Sequence, residues 1–306
     1  MSTIALPPLS SCGKPLDPSP RRLGVLRSSV DAVGDYAELR ARFDAEGYLY
    51  IPGFFDREEV MEARMSVVRQ LHAEGALDPA YDPSEAVAAP GVRMSFRPDL
   101  ANNNPTIKGL VYSERVMAFY DGLLGGPSRH YDYTWLRAVA PGRSTQPHFD
   151  VVYMGRGTKR VCTAWTPLSD VTFEGGMGGL AILEGSHRIT EMTEGYGQMD
   201  VDEFCENKPG VSRMEDAGYK SFGSFSDDPV DLAERFDLRW LTAEYRMGDL
   251  LTFSMFTLHA STDNLSNRIR LSTDSRYQLA SEPVDERWVG ENPPGHGGVS
   301  RRDLIC

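Results

Sequence analysis

His148 and Asp150 stand on either side of Phe149 in Gln146-Pro147-His148-Phe149-Asp150. On a strand, alternate residues point the same way, so an imidazole and a carboxylate would sit side by side. A second histidine, His259, lies far along the chain at the end of Gly248-Asp249-Leu250-Leu251-Thr252-Phe253-Ser254-Met255-Phe256-Thr257-Leu258. Two neutral imidazoles and one carboxylate on one face of a metal are the donors of non-haem ferrous sites, which keep positions open for reactants. Beyond His259 comes Arg270-Leu271-Ser272. Arg270 and Ser272 share a strand face, and a planar guanidinium beside a hydroxyl makes a fork for a carboxylate. H-x-D alone recurs by chance. In this order, with the distant His and the Arg-x-Ser, the pattern is specific.

The stretches around these residues read as strands. Residues 131–140 are aromatic and β-branched, a Pro-Gly turn comes next, and 148–154 continues with Val151-Val152-Tyr153. Further strands are expected at 160–166, 179–183, 250–259 and 270–277, separated by Gly, Pro and Asp turns. Such spacing argues for a mainly β chain with flanking helices around a double-stranded β-helix, a jelly-roll or cupin-like core. Its open mouth would be the ligand site.

Upstream, the spacing predicts a helix over Tyr36–Glu46 stopped by Gly47, a strand over 48–55, and a helix over Arg57–Ala73 capped by Asp56. Residues 75–104 are rich in loops, and 105–124 form the last helix before the strands. Residues 1–30, rich in proline and serine, form an extended tail or surface strap. Residues 190–240 are polar, Gly-rich and acidic, an insertion placed to act as a lid. The expected organisation is therefore one domain over 31–306: a helical lead-in (31–128), then a core (129–288) carrying that insertion.

Composition narrows the partners. A net charge of −12 disfavours nucleic acid and anionic membranes. No run approaches the length of a membrane span, and 41% hydrophobic residues suffice for a packed core. The four cysteines, Cys12, Cys162, Cys205 and Cys306, form no C-x-x-C pair and read as free thiols of a reducing cytoplasm. A small molecule is the expected partner.

The chain resembles the phytanoyl-CoA dioxygenase family of Fe(II)- and 2-oxoglutarate-dependent oxygenases. The resemblance rests on His148-Phe149-Asp150, Trp165-Thr166-Pro167-Leu168, and Gly179 through Arg188 with its Gly185-Ser186-His187 turn. It rests also on Gly248-Asp249 through His259, and on Arg270-Leu271-Ser272 running into Arg276-Tyr277-Gln278. It implies that His148, Asp150 and His259 hold Fe(II) and are the catalytic set. It implies too that 2-oxoglutarate chelates the metal while its remote carboxylate meets Arg270 and Ser272, and that O2 takes the last position. Because the carboxylate ligand is present, hydroxylation is expected, with succinate and carbon dioxide as co-products.

Other residues have weaker claims. Thr163 and Trp165 share a face of the next strand and are candidates to help hold 2-oxoglutarate, with packing an equal reading for Trp165. Arg97, Arg137 and Arg276 are candidate contacts for an anionic substrate, as are Lys159 and Arg160, against the common fate of charged residues in solvent. Arg268 competes with Arg270 and shares its face only if the strand has begun by then; the eleven-residue offset from His259 and the following Ser272 favour Arg270. The resemblance implies that His187 belongs to a structural turn after a strand rather than to the ligand set. The rival activity is a cupin-type metal-dependent isomerase or hydrolase without 2-oxoglutarate, which would have no use for a buried Arg270.

Overall fold

The computed structural model describes residues 6–203 and 224–296. Helix α1 (Tyr36–Glu46) begins where the Asp35 carboxylate accepts the amides of Ala37 and Glu38. It ends at Gly47, whose φ of 77° is the left-handed value glycine adopts cheaply. Helix α2 (Arg57–Ala73) starts the same way on Asp56 and buries Val60, Ala63, Val67, Val68 and Leu71 at helical spacing. Both helices agree with the sequence reading. The short α3 (Asp99–Asn102) lies in the loop-rich stretch, and the expected helix over 105–124 is two, α4 (Pro105–Val111) and α5 (Glu114–Leu124). The break turns the Tyr112 ring onto His130, with centroids 3.8 Å apart, and gives its hydroxyl Thr134 as partner at 2.6 Å.

Twelve strands are described: β1 (Ser10–Ser11), β2 (Lys14–Pro15), β3 (Leu23–Val25), β4 (Tyr48–Ile51), β5 (Ser128–His130), β6 (Trp135–Val139), β7 (Cys162–Pro167), β8 (Leu180–Leu183), β9 (Trp240–Thr242), β10 (Leu250–Ser254), β11 (His259–Ser261) and β12 (Arg270–Leu279). The larger sheet runs β4-β10-β7-β12-β5, with β6 also on β12; the smaller runs β11-β8-β9-β3. Every pairing in the two sheets is antiparallel except β3 with β9. Trp165, Leu251 and Phe253 of the larger sheet pack with Leu180, Ile182 and Leu241 of the smaller, which makes a jelly-roll sandwich. The helices cover the outer face of the larger sheet, where Val67, Leu71, Val111 and Tyr120 meet Leu49, Ala164 and Leu271.

Three segments depart from expectation. Residues 250–259 are not one strand: Thr257 N–H bonds Ser254 O at 2.8 Å in a turn that carries the chain from β10 in one sheet to β11 in the other. Residues 148–154 pair with the sheet only at His148, and Val151–Met154 is a helical turn, α6. Asp150 is already helical (φ −69°, ψ −27°), and Val151 N–H goes to Met255 O at 3.2 Å, so tertiary bonding overrides the strand preference of two valines. Residues 6–30 are built into the body, with Leu6, Leu16, Leu23 and Leu26 buried and β3 paired along β9.

Of the 190–240 stretch, residues 204–223 lie outside the described part. The rest of the stretch, with α7 (Pro229–Arg235), leads into β9. Phe225 N–H bonds Pro147 O at 2.9 Å, and Ser224 donates to the Gln146 side chain at 2.9 Å. The far end of this insertion thus lies against the loop that carries His148.

Candidate active site

His148 and His259 are joined backbone to backbone. His148 N–H bonds His259 O at 3.0 Å, and His259 N–H bonds His148 O at 3.1 Å. This closed pair extends the edge of β11 by one residue and sets the two rings side by side, centroids 4.2 Å apart. Each ring is then fixed by a carbonyl two residues before it. Nδ1 of His148 lies 2.7 Å from Gln146 O, and Nδ1 of His259 lies 3.0 Å from Thr257 O. A carbonyl only accepts, so Nδ1 carries the proton and Nε2 presents its lone pair. Burial pulls both imidazoles below their usual pKa, which keeps them neutral.

Asp150 supplies the third donor. Its Oδ1 is 4.0 Å from His148 Nε2 and 3.9 Å from His259 Nε2. One donor atom from each residue falls within 4.8 Å of the others. The alternation expected for a strand is not what aims Asp150 here; the chain turns into α6 at that residue. Burial would push the carboxyl up, but the Arg276 guanidinium, with the Thr163 hydroxyl, holds it below the usual range. Two neutral imidazoles and an ionised carboxylate, all buried, fit a ferrous ion.

The four even-numbered residues of β12 from Arg270 to Arg276 line one face. Arg270 is 1% exposed, donates to Ser272 Oγ at 3.1 Å, and its Nε has no partner among the described residues. Its guanidinium carbon is 6.0 Å from the centroid of the Trp165 ring, whose Nε1 is likewise buried with no partner among the described residues. Burial lowers Arg270 to about 10, so it stays protonated at neutral pH. A buried cation with spare donors beside an orphaned indole N–H fits a carboxylate.

The remaining candidates are differently employed. Thr163 donates its hydroxyl to Asp150 Oδ2, so it supports the acid ligand and is not offered to a co-substrate. Arg276, read as a substrate contact, ion-pairs with Asp150 Oδ2 at 3.0 Å. Arg137 donates to Asp274 at 3.2 Å while lining the cleft, and Arg97 at the rim is held by Glu74 and Asp99. Of the two further cations, Lys159 bonds Gln198 and Arg160 pairs with Glu282. Arg268 pairs with Glu85 at 2.9 Å. His187 contacts Asp44 O at 3.2 Å and stands outside the triad, as the turn reading expects. The sequence reading missed the Arg276–Asp150 and Arg137–Asp274 pairs. The alternation that joined Arg270 to Ser272 continues to Asp274 and Arg276 and was the available signal.

His148, Asp150 and Arg276 open into a cleft of about 1540 Å³ whose wall includes Tyr133, Trp135 and Trp288. A sequence profile of the phytanoyl-CoA dioxygenase (PhyH) family matches residues 43–272. This chain belongs to that family. The 1-deoxypentalenic acid 11-beta-hydroxylase of Streptomyces exfoliatus is 27% identical over 263 residues, which cover 78% of this chain and 80% of that protein. The enzyme of the same name from Streptomyces arenae is 29% identical over 279 residues, 82% and 88% of the two chains. The fold is shared with the epimerase SnoN from nogalamycin biosynthesis, solved with Fe3+ and alpha ketoglutarate (TM-score 0.56, 22% identity, 89% of this chain and 95% of that one). It is shared also with EctD from S. alaskensis, solved with 2-oxoglutarate and 5-hydroxyectoine (TM-score 0.55, 19% identity, 84% and 80%). By family and by its hydroxylase relatives, this PhyH-family chain is an iron(II)- and 2-oxoglutarate-dependent hydroxylase. Nothing in these likenesses supports an isomerase or hydrolase working without the co-substrate. No helix among the described residues is long and apolar enough to cross a membrane.

Proposed function

We propose that His148, Asp150 and His259 hold the iron of this hydroxylase, and that Arg270 with Ser272 receives the remote carboxylate of 2-oxoglutarate beside Trp165. The observation that carries the assignment is the convergence of one nitrogen from each buried imidazole and one oxygen of the buried carboxylate within 4.8 Å of one another. With iron, 2-oxoglutarate and O2 bound, oxidative decarboxylation to succinate and carbon dioxide supplies the oxidant that removes hydrogen from a substrate C–H bond. The chain's part is placement. The carbonyls of Gln146 and Thr257 hold the imidazole protons on Nδ1. Arg270 orients the co-substrate from its remote end, and the cleft's aromatic wall turns the substrate toward the triad while excluding water.

The cleft is far larger than the co-substrate needs, and its rings favour an apolar body. We take the prime substrate to be a small, largely apolar molecule, and the relatives' name points to an acid of the kind of 1-deoxypentalenic acid. Anaerobic titration with Fe(II) and 2-oxoglutarate tests the ligand assignment. A visible charge-transfer band is expected in wild type and not in His259→Ala; a band that survives the substitution refutes it. Screening apolar carboxylic acids, 1-deoxypentalenic acid among them, for stimulated succinate release tests the substrate class.

A further inference from the structure

The Asp150 carboxylate has its two oxygens in different company. Oδ1 faces the two Nε2 atoms. Oδ2 takes the Arg276 Nη2 at 3.0 Å and the Thr163 hydroxyl. Arg276 and Thr163 are direct register partners across β12 and β7, so both donors reach Oδ2 from one patch of the larger sheet. Arg276 is itself fixed. It is 2% exposed, its guanidinium carbon lies 4.5 Å from the Trp135 ring centroid, and Nη1 reaches Ser275 O at 3.4 Å.

We infer that Arg276 is a positioning residue that restricts Asp150 to a single metal bond through Oδ1, and thereby keeps open the position the co-substrate needs. The inference rests on the ligand assignment proposed above. A carboxylate binds a metal through one oxygen or through both. In a six-position shell with three protein ligands, a two-atom chelator and O2, a carboxylate spread over two positions excludes a reactant. The lone pairs of Oδ2 are engaged by a charge-assisted bond and a hydroxyl, so only Oδ1 is free to bind. Without Arg276 the carboxylate is released to grip the metal with both oxygens. Metal affinity then persists or rises while co-substrate chelation suffers. A merely structural salt bridge would not separate those two affinities.

The separation is measured anaerobically on wild type, Arg276→Gln and Arg276→Lys. Co(II) binding is followed by its d–d absorption, and 2-oxoglutarate binding to the Fe(II) protein by its charge-transfer band. In Arg276→Gln, Co(II) should bind as in wild type or more tightly, while 2-oxoglutarate binds at least about tenfold more weakly. Arg276→Lys, which keeps a cation within reach of Oδ2, should recover most of the loss. Wild-type 2-oxoglutarate affinity in Arg276→Gln overturns the inference. So does parallel loss of metal and 2-oxoglutarate in a protein with native near-ultraviolet dichroism. Should Arg276→Gln fail to fold, Thr163→Val removes the other Oδ2 donor at nearly equal shape. Weakened 2-oxoglutarate at unchanged Co(II) affinity supports the inference there, and wild-type behaviour overturns it. A missing band in wild type strikes the ligand assignment itself, a result distinguishable from any of these.

Discussion

Arg270 and Arg276 lie on the same face of one strand, yet they meet the site in different ways. Arg276 has its carboxylate within the chain, whereas among the described residues Arg270 has only the Ser272 hydroxyl, with its Nε unpartnered. The net worth of a hydrogen bond to a charged group is about 1.5–3 kcal/mol, roughly ten- to a hundredfold in affinity. Arg270→Met should therefore raise the Kd for 2-oxoglutarate by that factor and leave Co(II) binding unchanged; calorimetry reads the metal on the metal-free protein and the co-substrate on the Co(II)-loaded one. Cys162 offers a separate check. Burial pushes its thiol up to about 12. The folded state thus keeps a proton that the unfolded chain loses near pH 9, and that part of the stability declines as pH rises from there toward 12. Cys162→Ala should flatten the alkaline decline in denaturant midpoint. Native protein treated with iodoacetamide at mildly alkaline pH should show Cys162 unmodified in peptide maps.

The elements succeed or fail as readings according to where their causes lie. The end of α1 and the start of α2 were legible because Gly47 and Asp56 act on carbonyls and amides of their own neighbourhood. Asp56→Ala removes the acceptor of the Glu58 and Glu59 amides and should cost about 1 kcal/mol in urea unfolding. Gly47 sits in a tighter place. A Cβ there meets His187 Nδ1 at 2.5 Å and Thr257 Oγ1 at 2.9 Å, at a φ no alanine favours. Thr257 is the residue whose carbonyl holds His259, so Gly47→Ala should lower both thermal stability and Co(II) affinity. Residues 148–154 misled because valine's preference for strands is a local average, while Met255 O and the bridge to His259 decide that turn from afar. The alternation along β12 gives the face of Arg276 but not its partner, because Asp150 is brought there by the turn into α6.

At the scale of the molecule, the donors are drawn from both sheets. His259 belongs to β11 in the smaller sheet and brings His148 with it, while Thr163 and Arg276 reach Asp150 from the larger. Metal and co-substrate therefore cross-link the sandwich, and loading at about a hundredfold excess over Kd should add about 2.7 kcal/mol to unfolding free energy. Anaerobic urea melts with and without Fe(II) and 2-oxoglutarate should show that gain in wild type and none in His259→Ala. The doubled amide bond between His148 and His259 has one more outcome, for the newborn protein. Until synthesis has passed the second imidazole and the chain has looped back on the first, no pocket exists to seize a reactive cation. Ribosome-bound fragments ending before β11 should leave iron in solution, so oxidant chemistry is withheld until the architecture that confines it is in place.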